Sequence, residues 1–281
     1  MRSVGIELTS YCNAACNICP HKTVIETPRH IPFELFKQII EACRSLIDSN
    51  TVFGPCGLGE PLLYPKLKAA IEYLKMLYPR NVVSLNTNGF SLNRENSRMI
   101  LEALSANDVL VISLNADSAA SYDALMNCGK YELVVENTRE FLELHRNREN
   151  TCIVVLRFLQ TSLTSLERFR ESWAQYIGPN VGINSYSLLN WGGLISAPEK
   201  QVNRRACLSL WNCLSFDVNG NFYPCCEALA TREKSSLLLG NIKCDNVVEA
   251  YERGVSVFRQ QHLNNVWVGD CEHCDFWFES S

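Results

Sequence analysis

The sequence predicts an α/β protein: six strand-and-helix units forming a parallel sheet, followed by a small cysteine-rich region. Three observations lead there. Strand-length apolar segments alternate with helical ones over the first two-thirds of the chain. Successive parallel strands need such helices as right-handed crossovers. The 14 cysteines of the 281 residues concentrate near the front and in the last third.

The elements follow in order. Strand 4–8 (VGIEL) leads to helix 33–47, where Phe36, Ile39, Ile40, Cys43 and Ile47 recur at the 3.6-residue period. Strand 51–56, helix 66–77, strand 82–86 and helix 94–105 come next. Strand 108–114, a long loop, helix 132–145, strand 152–159, helix 165–177 and strand 181–189 complete the array. Beyond a polar linker, Asn-Gly within 217–224 marks a β-hairpin, and a helix is expected at 246–261. The expected domains are therefore 1–190 and 207–281, joined by 191–206. In such arrays the reactive loops lie beyond the C-terminal strand ends.

Composition narrows the function. A net charge of −4 offers no basic face for nucleic acid. The longest apolar runs, such as VLVISL, are strand-length and do not span a membrane. The N-terminus has no apolar signal core. A cytoplasmic location is expected, and structural disulfides are rare there. The cysteines then point to metal or cluster ligation.

Cys12, Cys16 and Cys19 form C-x3-C-x2-C directly after the first strand. Structural zinc closes its tetrahedron with four protein ligands. A [4Fe–4S] cluster is normally bound by four cysteines, so three leave one iron open. Further segments stand at strand ends: GLGEP (57–61) after the second, NTNG (86–89) after the third and SLN (113–115) at the fourth.

Across residues 3–190 this pattern resembles the radical S-adenosylmethionine (SAM) superfamily. The resemblance implies a partial (β/α)6 TIM-like barrel whose cysteine triplet holds a [4Fe–4S] cluster, with SAM chelating the open iron. It implies that Gly59, Glu60 and Pro61 hold the SAM amino group and that Asn86, Asn88, Ser113 and Asn115 contact SAM. Ile18 stands near the adenine, where many members carry an aromatic residue. Arg157, on strand five, is placed either to pair with the SAM carboxylate or to face solvent. The implied chemistry is reductive cleavage of SAM to methionine and a 5′-deoxyadenosyl radical, which takes a hydrogen atom from the substrate.

Cys207, Cys225, Cys271 and Cys274 are separated by 17, 45 and 2 residues. Their context resembles the SPASM/twitch auxiliary domains of the same superfamily, with Gly220 and Cys225 meeting a G-x4-C spacing. A single C-terminal C-x2-C pair fits the shorter, twitch-type domain with one fully ligated [4Fe–4S] cluster. A four-cysteine zinc ribbon is the alternative, since all-sulfur tetrahedral sites suit either. Cys226 and Cys213 are rival ligands. Cys43 and Cys152 read as core, and His273 as a donor of an outer hydrogen bond. Cys56 and Cys128 are candidate hydrogen donors, and Asp117 and Glu227 candidate bases.

The expected substrate is a small polar sugar or aminocyclitol intermediate, oxidised or epimerised. The architecture is similar to the compact twitch-bearing dehydrogenases and epimerases of aminoglycoside pathways. A maturase acting on a ribosomal peptide is the second reading. The chain opens directly on strand one, where many maturases carry a leader-binding module, which lowers that reading. A non-catalytic iron–sulfur or zinc scaffold is the third. Expected partners are the small-molecule or peptide substrate and an electron donor such as flavodoxin or ferredoxin.

Overall fold

The computed structural model describes residues 1–55, 57–149, 151–197 and 204–276. It is α/β with parallel strand pairing, as expected. The strands are β1 Ser3–Ile6, β2 Val52–Gly54, β3 Ser84–Thr87, β4 Val109–Ser113, β5 Ile153–Gln160, β6 Val181–Ser187, β7 Cys213–Phe216, β8 Asn221–Tyr223 and β9 Gly240–Asn241.

The strands do not form one continuous sheet. One sheet has the order β2-β1-β7-β8-β9, and a second has β3-β4-β5-β6. The difference arises at β1, whose second edge pairs in parallel with β7, Ser3 opposite Cys213 and Ile6 opposite Phe216. A strand from the C-terminal region thus completes the sheet that the first strand begins. Packing accordingly cuts the chain differently from the sequence-adjacent segments 1–190 and 207–281. One compact unit comprises 1–11, 19–59 and 189–281, the other 12–18 and 60–188.

Helices form where period and caps agree. The helix Phe33–Ala42 buries Leu35, Phe36, Ile39 and Ile40, and Cys43 follows fully buried. It stops short of Ile47, and residues Arg44–Leu46 tighten into a 3-10 turn. Asn93 caps the helix Arg94–Ala103 by accepting from the Asn96 N–H, and Asn246 caps Val247–Leu263 through Val248 and Glu249. The hairpin turns at Asp217–Gly220, where Gly220 adopts φ +87° and its N–H donates to the Asp217 carbonyl at 3.0 Å.

The long loop after β4 contains a helix the sequence reading missed, Ala119–Met126. Its apolar residues lack a clean helical stripe; a reciprocal Ser118–Ser121 capping box starts it. Short helices at Cys226–Thr231 and Asp270–His273 were also missed, both inside the cysteine-rich region. Among the described residues no helix is long and apolar enough to cross a membrane.

Candidate functional site

In the unit holding 60–188, the functional side chains gather at the C-terminal ends of β3–β6. Glu60 is 3% exposed. Its Oε1 accepts from Leu62 N–H at 3.1 Å and from the Thr87 hydroxyl at 2.8 Å, and its Oε2 accepts from Asn88 N–H at 2.8 Å. A carboxylate offers about four acceptor positions. The three internal donors therefore leave one position on Oε2 for a cationic donor. Burial raises the Glu60 pKa, and the hydrogen bonds from Asn88, Thr87 and Leu62 oppose that shift.

Asn88 also reaches the first cysteine loop. Its Nδ2 donates to Asn13 Oδ1 at 2.8 Å and lies 3.8 Å from Cys12 Sγ. Asn13 in turn donates to Ser91 Oγ at 2.9 Å. Asn17, between Cys16 and Cys19, donates through its backbone and side chain to the Leu125 and Ala124 carbonyls, both at 2.9 Å. The unforeseen helix Ala119–Met126 thus anchors the loop that carries Cys12 and Cys16. Tyr122 of that helix is fully buried. Burial and the neighbouring Cys128 and Cys16 thiols raise its pKa.

The next group spans β4–β6. Ser113 stands opposite Arg157 in the β4–β5 register. The Arg157 guanidinium lies over the Tyr186 ring at 5.3 Å, and the Tyr186 hydroxyl donates to Asn115 Oδ1 at 3.1 Å. Asn115 holds a left-handed φ of +63°, with its N–H on the Arg157 carbonyl at 2.9 Å. Among the described residues, the buried Arg157 Nε and Asn86 Oδ1 have no hydrogen-bond partner. A polar ligand with donors and acceptors fits this place, because buried polar atoms are otherwise satisfied. Tyr186 escaped the sequence reading; the alternation NSYS on β6 was its signal.

Asp117 has a different environment from that of a free base. Its carboxylate accepts from Ser165 N–H at 2.9 Å and pairs with Arg168 at 2.6 Å. Burial raises its pKa, but the Ser165 and Arg168 interactions outweigh it and leave the group below its usual range. Its geometry is that of a tie between loops. Cys128 is half-buried, with its pKa raised chiefly by burial. Cys56 lies outside the described residues. Ile18 is half-buried, and Pro61 opens the 3-10 turn Pro61–Leu63.

In the other unit, a second buried carboxylate stands at the end of β1. Glu7 is fully buried and accepts from Leu58 N–H at 3.0 Å and Val218 N–H at 3.3 Å. Arg232 clasps it through two nitrogens at 3.0 and 2.7 Å. Gly57 and Gly59 belong to the same packing: a Cβ on Gly57 would meet Glu7, and one on Gly59 would strike the Thr9 carbonyl. The glycines here serve close approach of backbone. Within this unit, burial raises the Cys19 pKa and a hydrogen bond from the His21 backbone opposes the rise.

The same unit brings the other four cysteines together. Cys207, Cys225, Cys271 and Cys274 line one pocket with Arg204 and His262. The apolar cluster of Tyr223, Ala228, Leu229 and Leu237 packs around Cys225, with Cys271 against it. Cys225 caps the helix Cys226–Thr231, its sulfur 3.4 Å from the Ala228 N–H. Cys226 and Cys213 are not among the residues lining the pocket. Burial, and then the neighbouring Cys207, push the Cys271 thiol up to about 12. An all-thiol donor set is of the type that suits a metal or iron–sulfur group, while among the described residues no three His, Cys, Asp or Glu side chains stand grouped to hold a metal ion. His273 is exposed, and its carbonyl accepts from Asn190 Nδ2.

Strand-end loops, three closely spaced cysteines and a buried carboxylate with one open acceptor lie where a family match falls. Residues 6–160 match the radical SAM superfamily, and the chain belongs to it. Members use SAM and a [4Fe–4S] cluster. Similar solved structures share the fold at low identity. BtrN in complex with AdoMet and 2-DOIA matches with TM-score 0.60 and 18% identity, over 98% of this chain and 93% of BtrN. Native anSMEcpe with bound AdoMet matches with TM-score 0.67 and 13% identity, over 98% of this chain and 87% of the other. Streptococcus suis SuiB bound to precursor peptide SuiA matches with TM-score 0.67 and 12% identity, over 92% of this chain and 66% of SuiB. Among curated protein sequences none matches.

Proposed function

We propose that this chain is a twitch-type radical SAM oxidoreductase or epimerase acting on a small polar sugar or aminocyclitol, with a second [4Fe–4S] cluster at Cys207, Cys225, Cys271 and Cys274. The observation that carries the auxiliary cluster is the convergence of those four thiols on one pocket. When bound, the first cluster and SAM supply the 5′-deoxyadenosyl radical that takes the substrate hydrogen.

The chain's own residues bind and orient. Cys12, Cys16 and Cys19 are the ligand triplet. Glu60 offers its open Oε2 position to the SAM ammonium, and Asn86 and Arg157 offer the atoms that lack partners among the described residues. Asn88, Ser113 and Asn115 line the strand ends beside them, with Ile18, Gly59 and Pro61 completing the contacts. Cys128 is kept as the candidate hydrogen donor, and the pairing of Asp117 with Ser165 and Arg168 weighs against the base role. The small-substrate reading follows the match to almost all of BtrN, in complex with 2-DOIA, and the match to most of anSMEcpe with bound Cp18Cys peptide makes the maturase reading its alternative. A flavodoxin or ferredoxin in the cytoplasm would supply the electron.

Anaerobic reconstitution tests the cluster content: about eight irons per chain for two four-iron clusters, with reductive release of 5′-deoxyadenosine from SAM. Tightly bound zinc in the quartet would refute the auxiliary cluster. Deuterium passing from a labelled aminocyclitol into 5′-deoxyadenosine identifies the substrate class. Transfer from a peptide instead selects the maturase reading.

A further inference from the structure

Around the four-thiol pocket stand an arginine and a glutamate outside the set of residues assigned to SAM. Arg204 lines the pocket, and its Nη1 donates to the Glu272 carbonyl at 3.0 Å. Its Nη2 donates to the Cys271 carbonyl, so both nitrogens grip the C-x2-C loop. The guanidinium also lies over the Trp267 ring at 4.9 Å. Loop carbonyls and an aromatic face thus hold the cation beside the thiols. Burial lowers the Arg204 pKa, and the neighbouring Cys274, Cys271 and Cys207 oppose that shift. Glu227, 6% exposed, lines the same pocket. His262 completes it, accepting from the Cys207 N–H at 3.2 Å through Nδ1.

A cluster held by four thiolates carries net negative charge, and reduction adds one more. Nearby charge and hydrogen bonding therefore set its potential. A fixed cation stabilises the reduced form more than the oxidised one, and a fixed anion does the reverse. The effect is strong where burial keeps water from screening it.

We propose that Arg204 is a positioning residue that raises the reduction potential of the auxiliary cluster and that Glu227 opposes it, the pair setting how readily that cluster takes one electron. This rests on the reading of Cys207, Cys225, Cys271 and Cys274 as cluster ligands. It goes beyond that reading in assigning a redox role to residues outside the ligand set.

The test uses the full chain carrying Cys12→Ala, Cys16→Ala and Cys19→Ala, so that one cluster remains, reconstituted anaerobically and titrated with dithionite through mediators. Cluster reduction by one electron is followed by electron paramagnetic resonance. In Arg204→Gln, the reduced-to-oxidised ratio at a given solution potential should fall about tenfold, or about 59 mV for a one-electron couple. Glu227→Gln should move the ratio the other way. Arg204→Lys should stay within about threefold of the parent. Shifts of opposite sign would not arise from simple loosening of the pocket.

The proposal is overturned by an Arg204→Gln midpoint equal to the parent's, by an Arg204→Lys midpoint displaced as far as that of Arg204→Gln, or by an Arg204→Gln shift of the same sign as that of Glu227→Gln. If Arg204→Gln binds no iron, Arg204→Lys and Glu227→Gln decide. An Arg204→Lys midpoint well below the parent's, or a Glu227→Gln midpoint not above it, then overturns the proposal. Failure of the parent itself to take up about four irons refutes the cluster reading instead.

Discussion

The two cysteine sets differ in number, setting and support. Cys12 and Cys16 ride on a loop held by carbonyls of the helix Ala119–Met126 and approached by Asn88. Cys207, Cys225, Cys271 and Cys274 instead line a pocket with an apolar wall. As the proposed ligand sets, three thiols would keep a position for a reacting molecule, while four would close on themselves. The two buried carboxylates show the same contrast. Glu60 keeps one acceptor position open, whereas Glu7 accepts from two backbone N–H groups and a bidentate arginine. Chemistry is thus supported where a ligand is left unsatisfied, and architecture where every position is filled.

The sharpest way to break this contrast is at the triplet. Replacing Cys12, Cys16 and Cys19 by Ala should abolish 5′-deoxyadenosine formation, measured chromatographically under anaerobic reducing conditions. Persistence of that product would overturn the reactive assignment of the open set.

At the quartet, Cys225→Ala should lose about four irons per chain while SAM cleavage continues, and Cys226→Ala should retain them. Iron analysis and electron paramagnetic resonance separate the two. The reverse result would exchange the ligand assignment between these neighbours.

Between the carboxylates, Glu7→Ala should cost about 3–5 kcal/mol of folding stability, because it leaves the Arg232 charge buried without its partner. Chemical denaturation measures it, and a change below about 1 kcal/mol would show that Glu7 does not hold β1, the Gly57–Leu58 loop and the hairpin together. Glu60→Gln should weaken SAM binding about tenfold, the scale of a hydrogen bond to a charged group, with a smaller change in stability. Unchanged SAM affinity would leave Glu60 as another structural tie.

The smallest effect lies at His145, in the last turn of the helix Tyr131–Arg146. Burial, partly opposed by the hydrogen bond to the Cys152 carbonyl, lowers the pKa of His145. The unfolded chain therefore takes up this proton at a higher pH than the folded one. Its contribution to stability is complete above the ordinary histidine range and declines as pH falls through it. His145→Gln should flatten the dependence of unfolding midpoint on pH between about 7 and 5. An unaltered slope would remove His145 from that balance.

The sequence by itself determined most of the local elements and the chemistry-bearing motifs. The 3.6-residue period located the helix Phe33–Ala42, and the Asn-Gly pair located the hairpin turn, because both depend on interactions a few residues long. Cysteine spacing likewise singles out Cys12, Cys16 and Cys19, which stand within eight residues of one loop. Tertiary structure decided what depends on distant partners. The pairing of β1 with β7 joins residues more than 200 apart in the chain. Glu7 looked like an ordinary strand residue until Leu58, Val218 and Arg232 were brought to it. Cys225 and Cys226 are adjacent and chemically identical; only the fold of the helix Cys226–Thr231 turns one sulfur to the pocket and leaves the other outside its lining. Backbone propensity and spacing are local, whereas burial, charge pairing and the direction of a side chain are set by whatever the rest of the chain packs against it.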